Sequence, residues 1–357
     1  MSKKRNKKKT ITTNVPKKLV YIDDAPVFKF INPNSNDKLS EMSGLDLQDL
    51  ISLIDDYYIQ LRKQLGFEQY ITFGLELEFE NAMKERIDRQ LNEVFPNGDW
   101  RTKHDGSLNN GAEINSPILR DTKASWENLN KVCSIVEPLA SIDAKSGGHI
   151  HIGTQTLGNN RDSWLNFIKM WSVYENVIFR FVYGEFLTAR PSMLDYAEPM
   201  TKDFWRDYET LKADHASLDA IISKISHKRY QAVNFNNVSK NNCNNFGTKN
   251  TIEFRCPNGS IDPAIWQNNV NLFVNILLYS KNPRYDDSII QNRRNINEEK
   301  YSKLKWYDEI YLQQALELCD MLFTNNFDKV YFLRQYLKSF EISNKKLSKP
   351  KIFTKKI

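Results

Sequence analysis

Apolar and polar residues alternate in four short stretches of this chain, and the alternation predicts strands. Side chains two apart in a strand share a face. In FGLELEFE, Leu75, Leu77 and Phe79 therefore oppose Glu76, Glu78 and Glu80. GAEINSP sets Ala112 and Ile114 against Glu113 and Asn115, and GGHIHIG sets Ile150 and Ile152 against His149 and His151. TIEFRCP sets Ile252 and Phe254 against Glu253 and Arg255. The stretch WRTKHDGSLNNGAEINSPIL reads as two short strands around a turn rich in Gly and Asn, closed by Pro117. RYQAVNFN reads as a further strand.

Between these stretches the apolar period lengthens to three and four, which predicts helices. Leu47, Leu50, Ile51, Ile54, Tyr58 and Leu61 place one from about Ser43 to Gly66. Others are expected at 84–95, 123–140, 161–182, 201–213, 217–227 and 262–281, and most of 285–340 reads as helical. The aromatic positions from Trp164 to Tyr183 suit a core helix. Residues 1–40 are polar and irregular, and NNVSKNNCNNFGTKN reads as a loop, either a lid or a free tip. Cys243 within that loop has no His partner to make it a nucleophile. No regular βαβ rhythm, GxGxxG or GxxxxGK[ST] occurs, so dinucleotide-fold and P-loop chemistry are unsupported. The class is α+β. The expected organisation is a basic, flexible extension at 1–42, a main domain at 43–284, a helical segment at 285–343 and a basic tail at 344–357.

Composition narrows the class. With 357 residues, 40% apolar and 12% aromatic, the chain can fill a sizeable core, which excludes wholesale disorder. It has no run of 18 apolar residues, and no apolar stretch follows MSKKRNKKK. Neither a membrane span nor a secretory leader is expected. Cys133, Cys243, Cys256 and Cys319 are far apart, which disfavours a cysteine zinc site and suits a reduced, cytoplasmic protein. The net charge is +6, but residues 1–18 carry eight Lys/Arg without an acid and residues 344–357 carry six Lys without an acid. Without those fourteen charges the body, residues 19–343, stands at −8. The tails either contact nucleic acid or an anionic surface, or serve only as solubilising termini.

The polar strand faces carry the candidate chemistry. Each motif alone has an ordinary reading: ExE as a solvated face, HxH as an exposed pair, ExR as a cross-strand ion pair. Together, if the strands are neighbours, they gather at least four carboxylates, two imidazoles and a guanidinium on one face. Such carboxylates repel and are costly to desolvate, and divalent cations remove that penalty. An oxygen-rich set with few His suits Mg²⁺ or Mn²⁺ and not Zn²⁺. Metals beside an arginine can hold and activate a nucleoside triphosphate.

The ordered set FGLELEF, DGSL, GAEINSP, GGHIHIG, RYQAVNF and TIEFR, spanning roughly residues 68–280, resembles the amidoligase family. These are carboxylate–amine ligases of the glutamine synthetase superfamily. The resemblance implies a glutamine synthetase-like curved antiparallel sheet with helices packed on one face, followed by C-terminal helices outside the match. It implies ATP- and Mg- (or Mn-) dependent amide or peptide bond formation through an acyl phosphate, on amino acids, short peptides or cell-wall peptides. It implies metal ligands at Glu76, Glu78, Glu113, His149 and Glu253, His151 near ATP, and Arg255 facing phosphate.

Asp105, in the DGS turn, is the candidate general base, or else only stabilises the turn. Arg229 either holds a phosphate or the substrate carboxylate, or lies on the surface. Asn234 is a cofactor-binding candidate, or a sheet residue with a satisfied amide. Gly147 and Gly148 read as a turn, or as a point of close approach. Two other readings stay open: a guanidino kinase-like phosphotransferase, and an inactive nucleotide-binding homologue whose basic tails bind nucleic acid. The oligomeric state is also open.

Overall fold

The alternating stretches become strands of one sheet. In the computed structural model, which describes residues 38–41, 61–108, 110–142, 146–186, 190–213, 217–225, 229–238, 249–300 and 311–338, these are β1 (Phe73–Phe79), β2 (Arg101–Lys103), β3 (Ala112–Asn115), β4 (Gly148–Gly153), β5 (Val233–Asn234) and β6 (Thr251–Phe254). Their order is β2-β3-β1-β4-β6-β5, and every pairing is antiparallel. The described helices are α1 (Lys84–Val94), α2 (Lys123–Val136), α3 (Arg161–Val182), α4 (Met193–Tyr196), α5 (Thr201–Ala213), α6 (Leu218–Ile225), α7 (Pro263–Ser280), α8 (Asp287–Lys300), α9 (Leu312–Leu322) and α10 (Asn326–Leu337). The fold is α+β, as expected.

Side-chain caps define where several helices begin. Thr122 accepts from the Ser125 amide ahead of α2, and Asn160 accepts from the Asp162 and Ser163 amides ahead of α3. Asp262 caps α7, whose first residue is Pro263, and Asn325 caps α10. Glu175, buried in α3, accepts from the Met200 and Thr201 amides at 2.9 and 3.1 Å and so holds the start of α5.

The apolar sheet face is covered by helices. Phe73 of β1 stacks on Trp126 of α2 with centroids 5.1 Å apart. Phe254 of β6 stacks on Phe273 of α7 at 4.1 Å and meets Trp171 of α3 at 5.4 Å. Every described aromatic residue from Trp164 to Tyr183 is buried. The C-terminal helices join the same core, with Phe332 of α10 stacked on Phe181 of α3 at 4.9 Å. Among the described residues, no helix is long and apolar enough to cross a membrane.

Several expectations differ in detail. The helix expected from Ser43 to Gly66 lies mostly outside the described residues, and its described end, residues 61–66, is not helical. The Leu65, Gly66 and Phe67 amides donate to the buried Asp121 carboxylate, and Gly66 takes a positive φ of 90°. Those donors are therefore unavailable to a helix. The strand expected from RYQAVNFN shrinks to Val233–Asn234. The flanking Tyr230 carbonyl and Ala232 amide bond instead to Glu198, and the Asn234 side chain turns the chain by accepting from the Asn236 amide. At the end of the N-terminal extension, the Leu39 and Ser40 amides bond to Asp320 of α9 at 2.9 and 2.8 Å. The rest of that extension, Cys243 and its loop at 239–248, and the basic tail lie outside the described residues.

The Phe254 ring sits under the strand that carries Glu253 and Arg255. Phe254→Ala removes a fully buried ring and should cost about 3–5 kcal/mol. A urea titration followed by tryptophan fluorescence checks this; a midpoint within error of wild type would contradict the packing described.

Candidate functional site

Antiparallel pairing lays the polar positions out as a grid, because cross-strand partners share a face. In one row Lys103 faces Glu113, which faces Glu78. In the next, Arg101 faces Asn115, which faces Glu76, which faces His149. In the third, Gly74 faces His151, which faces Glu253, which faces Asn234. Glu76, Glu78, Glu113, His149, His151 and Glu253 are all buried.

Glu76 is the centre of the grid. His149 Nδ1 donates to its Oε2 at 3.0 Å and His151 Nε2 donates to its Oε1 at 2.9 Å. Lys249 Nζ stands 3.3 Å from the same Oε1. His149 Nε2 lies 3.5 Å from Glu78 Oε1. Glu253 accepts from Asn234 at 2.8 Å and Asn237 at 3.3 Å, and pairs with Arg255. Glu113 accepts from Asn115 at 2.6 Å, and Glu78 accepts from the Gly147 amide.

These contacts divide the carboxylates into two kinds. Burial pushes the Glu76 carboxyl up, but the hydrogen bonds and charges of His149 and His151 outweigh it and hold Glu76 well below the usual range. Burial likewise pulls His149 down, and the Glu76 bond together with the Glu78 charge reverses this and leaves it raised. Glu113 moves the other way. Burial, then the negative charge of Glu76, push its carboxyl up against the Asn115 amide. The repulsion expected from the sequence is thus relieved at Glu76 and persists at Glu113.

The residues present fit a divalent cation. Glu76–Glu113–His149, Glu76–His151–Glu253 and Glu78–Asp105–Glu113 each bring donor atoms within 4.8 Å of one another. With at most one imidazole per set, the donors are of the oxygen-rich kind that suits Mg²⁺ or Mn²⁺. Two cavities flank the grid. One of about 630 Å³ is lined by Glu78, Asp105 and His149 together with Arg190, Arg229 and Arg255. The other, about 420 Å³, is lined by Glu76, His151 and Lys249 together with Phe73, Pro117 and Ile118.

The family model described as "Putative amidoligase enzyme" matches residues 97–277, just over half of the 357-residue chain. The chain belongs to that family. A solved structure described as "Crystal structure of novel glutamine synthase homolog" is similar over 78% of this chain and 67% of its own, with 13% identity and a TM-score of 0.38. A search of the curated proteins returns no match. The amidoligase match begins after β1, so Glu76 and Glu78 precede it, whereas Asp105, Glu113, His149, His151, Arg229, Asn234, Glu253 and Arg255 fall within it.

The structure treats the softer candidates unequally. Asp105 accepts from the Ser107 amide at 2.8 Å, which is the turn role, yet it also reaches Glu78 and Glu113. Arg229 is exposed at the larger cavity, over the Tyr230 ring and outside the carboxylate cluster. Asn234 has both ends of its amide engaged by Glu253 and the Asn236 amide, so it positions Glu253. Gly147 and Gly148 mark close approach and not a turn. A Cβ on Gly147 would lie 3.1 Å from both the Arg190 guanidinium and Glu78 Oε2, and one on Gly148 would lie 2.7 Å from Trp266.

Sequence reasoning missed Arg190 and Lys249. Arg190 is 5% exposed and donates to the Pro257 and Arg255 carbonyls. Nothing in the irregular stretch around it signals that role. Lys249 had a signal: it precedes Thr251, Glu253 and Arg255 by steps of two and so continues the polar face of β6.

The raised Glu113 carboxyl yields a test. A raised folded value means that the stability gained by protonation is lost as pH rises through it. Glu113→Gln should therefore raise the melting temperature of the metal-free protein at pH 7. The gain should shrink as pH falls and wild-type Glu113 takes up its own proton. Calorimetric melts of both proteins at pH 7 and pH 5 check this, and a destabilised variant at pH 7 would contradict it.

Proposed function

We propose that this amidoligase-family chain is an ATP- and Mg²⁺- (or Mn²⁺-) dependent carboxylate–amine ligase that forms an amide or peptide bond through an acyl phosphate. The observation that supports this most is the grid itself: Glu76, Glu78, Glu113, His149 and Glu253 together on one sheet face, with a cavity on each side. Family membership points the same way.

A carboxylate does not condense with an amine at neutral pH, because oxide would have to leave. In the proposed reaction a substrate carboxylate oxygen attacks the γ-phosphorus and the bond to ADP breaks. The amine nitrogen then attacks the carbonyl carbon, phosphate leaves, and the nitrogen loses a proton. Bound Mg²⁺ supplies charge neutralisation at the phosphates and alignment of the carboxylate. In this reading Glu76, Glu78, Glu113, His149 and Glu253 hold the cations. Arg255, fixed by Glu253 and the Tyr196 carbonyl, presents its charge to the transferring group. Asp105, half-buried at the cavity wall, takes the amine proton. The smaller cavity combines apolar wall at Pro117 and Ile118 with His151 and Lys249, which suits a base and its phosphates. The larger, with three arginines, suits the acid and the amine.

Isotope transfer tests the reaction. A panel of ¹⁸O-carboxylate amino acids and short peptides, given MgATP and hydroxylamine as the amine, should yield hydroxamate, ADP and phosphate carrying ¹⁸O. Glu253→Gln should slow this on the order of a hundredfold or more. Transfer of the γ-phosphoryl group to a substrate guanidino nitrogen, forming a P–N bond and ADP without ¹⁸O transfer, would instead favour the guanidino kinase-like phosphotransferase.

A further inference from the structure

Lys249 occupies a place that a divalent cation would also need. Its Nζ stands 3.3 Å from Glu76 Oε1, the oxygen that also accepts from His151. Glu76 belongs to two of the three donor sets. An ammonium and a divalent cation on one carboxylate oxygen repel at close range, so each weakens the other's hold there. The lysine is free to leave: its side chain is 58% exposed, forms part of the wall of the smaller cavity and carries a flexible four-carbon stem. An ion pair of this exposure is weak.

We propose that Lys249 is an exchanging charge: it holds Glu76 in the metal-free site, yields that oxygen to an incoming divalent cation, and then pairs with the phosphate oxygens of the nucleotide in the smaller cavity. The second half rests on the ligase reading, which places a nucleotide there. The exchange makes cation and nucleotide bind cooperatively. A cation alone must displace the ammonium, and phosphate gives the ammonium a new partner. Linkage requires the coupling to act equally in both directions.

The test uses the full-length protein and two titrations. Mn²⁺ alone is followed by electron paramagnetic resonance, and the Mn²⁺ complex of a non-hydrolysable ATP analogue by calorimetry. Lys249→Gln should bind Mn²⁺ alone about three- to tenfold tighter and the nucleotide complex weaker by a similar factor. Lys249→Arg keeps the charge and should stay close to wild type in both. A general structural disturbance would weaken both ligands, so opposite signs are diagnostic. Unchanged or weaker Mn²⁺ binding by Lys249→Gln, beside normal binding by wild type, would overturn the exchange and leave the ligase reading intact. Failure of wild type to bind Mn²⁺ would overturn the cation site and this proposal with it.

Discussion

The site depends on how one carboxylate, Glu76, is neutralised. It sits at the middle of a buried polar face, where an unpaired negative charge is costly. Two imidazoles and an ammonium converge on its two oxygens. That convergence lets a second carboxylate, Glu78, stand two residues away on the same strand and a third, Glu113, face Glu78 across the ladder. The compensation is incomplete, since Glu113 still feels Glu76 and keeps a raised carboxyl. Metal-free, the grid is a set of negative charges balanced by groups that can move or lose a proton. In the proposed ligase a hard cation would take the same oxygens.

The other side of the sheet makes this arrangement rigid. Phe73, Phe254 and their helix partners Trp126, Phe273 and Trp171 anchor β1 and β6 from below. Close approach is purchased with glycine where side chains crowd the ends of the strands. Gly148 admits Trp266, and Gly147 admits Arg190 and Glu78. Arg190 in turn ties the Arg255 and Pro257 carbonyls, which fixes the chain just beyond Glu253. Asn234 and Asn237 hold Glu253 Oε2, and Arg255 pairs with its Oε1. Glu78 and Glu253 are thus each held by neighbouring hydrogen bonds, an arrangement that would preorganise a metal site.

Much of this is legible in the amino-acid sequence. β1, β3, β4 and β6 announce themselves through alternation, and α3 through its aromatic run, because a face that must be buried leaves a periodic trace. Adjacency leaves no such trace. The spatial order β3-β1-β4-β6 is not the chain order, and only the resemblance to amidoligases suggested that the four polar faces meet. β5 was overread because the Tyr230 carbonyl and the Ala232 amide bond to Glu198, a distant residue no local pattern reveals. The unequal charge states of Glu76 and Glu113 were likewise hidden, since they depend on who sits opposite. Arg190 acts through backbone carbonyls far along the chain, an interaction with no sequence signature.

The proposed ligase requires the grid to bind a nucleotide through divalent cations. Calorimetric titration of ATP, with and without Mg²⁺, into wild type and Glu253→Gln tests it without knowledge of acid or amine. Wild type should bind ATP only with Mg²⁺, and the variant should bind far more weakly or not at all. Binding that is equally strong without Mg²⁺, or untouched by Glu253→Gln, would contradict it.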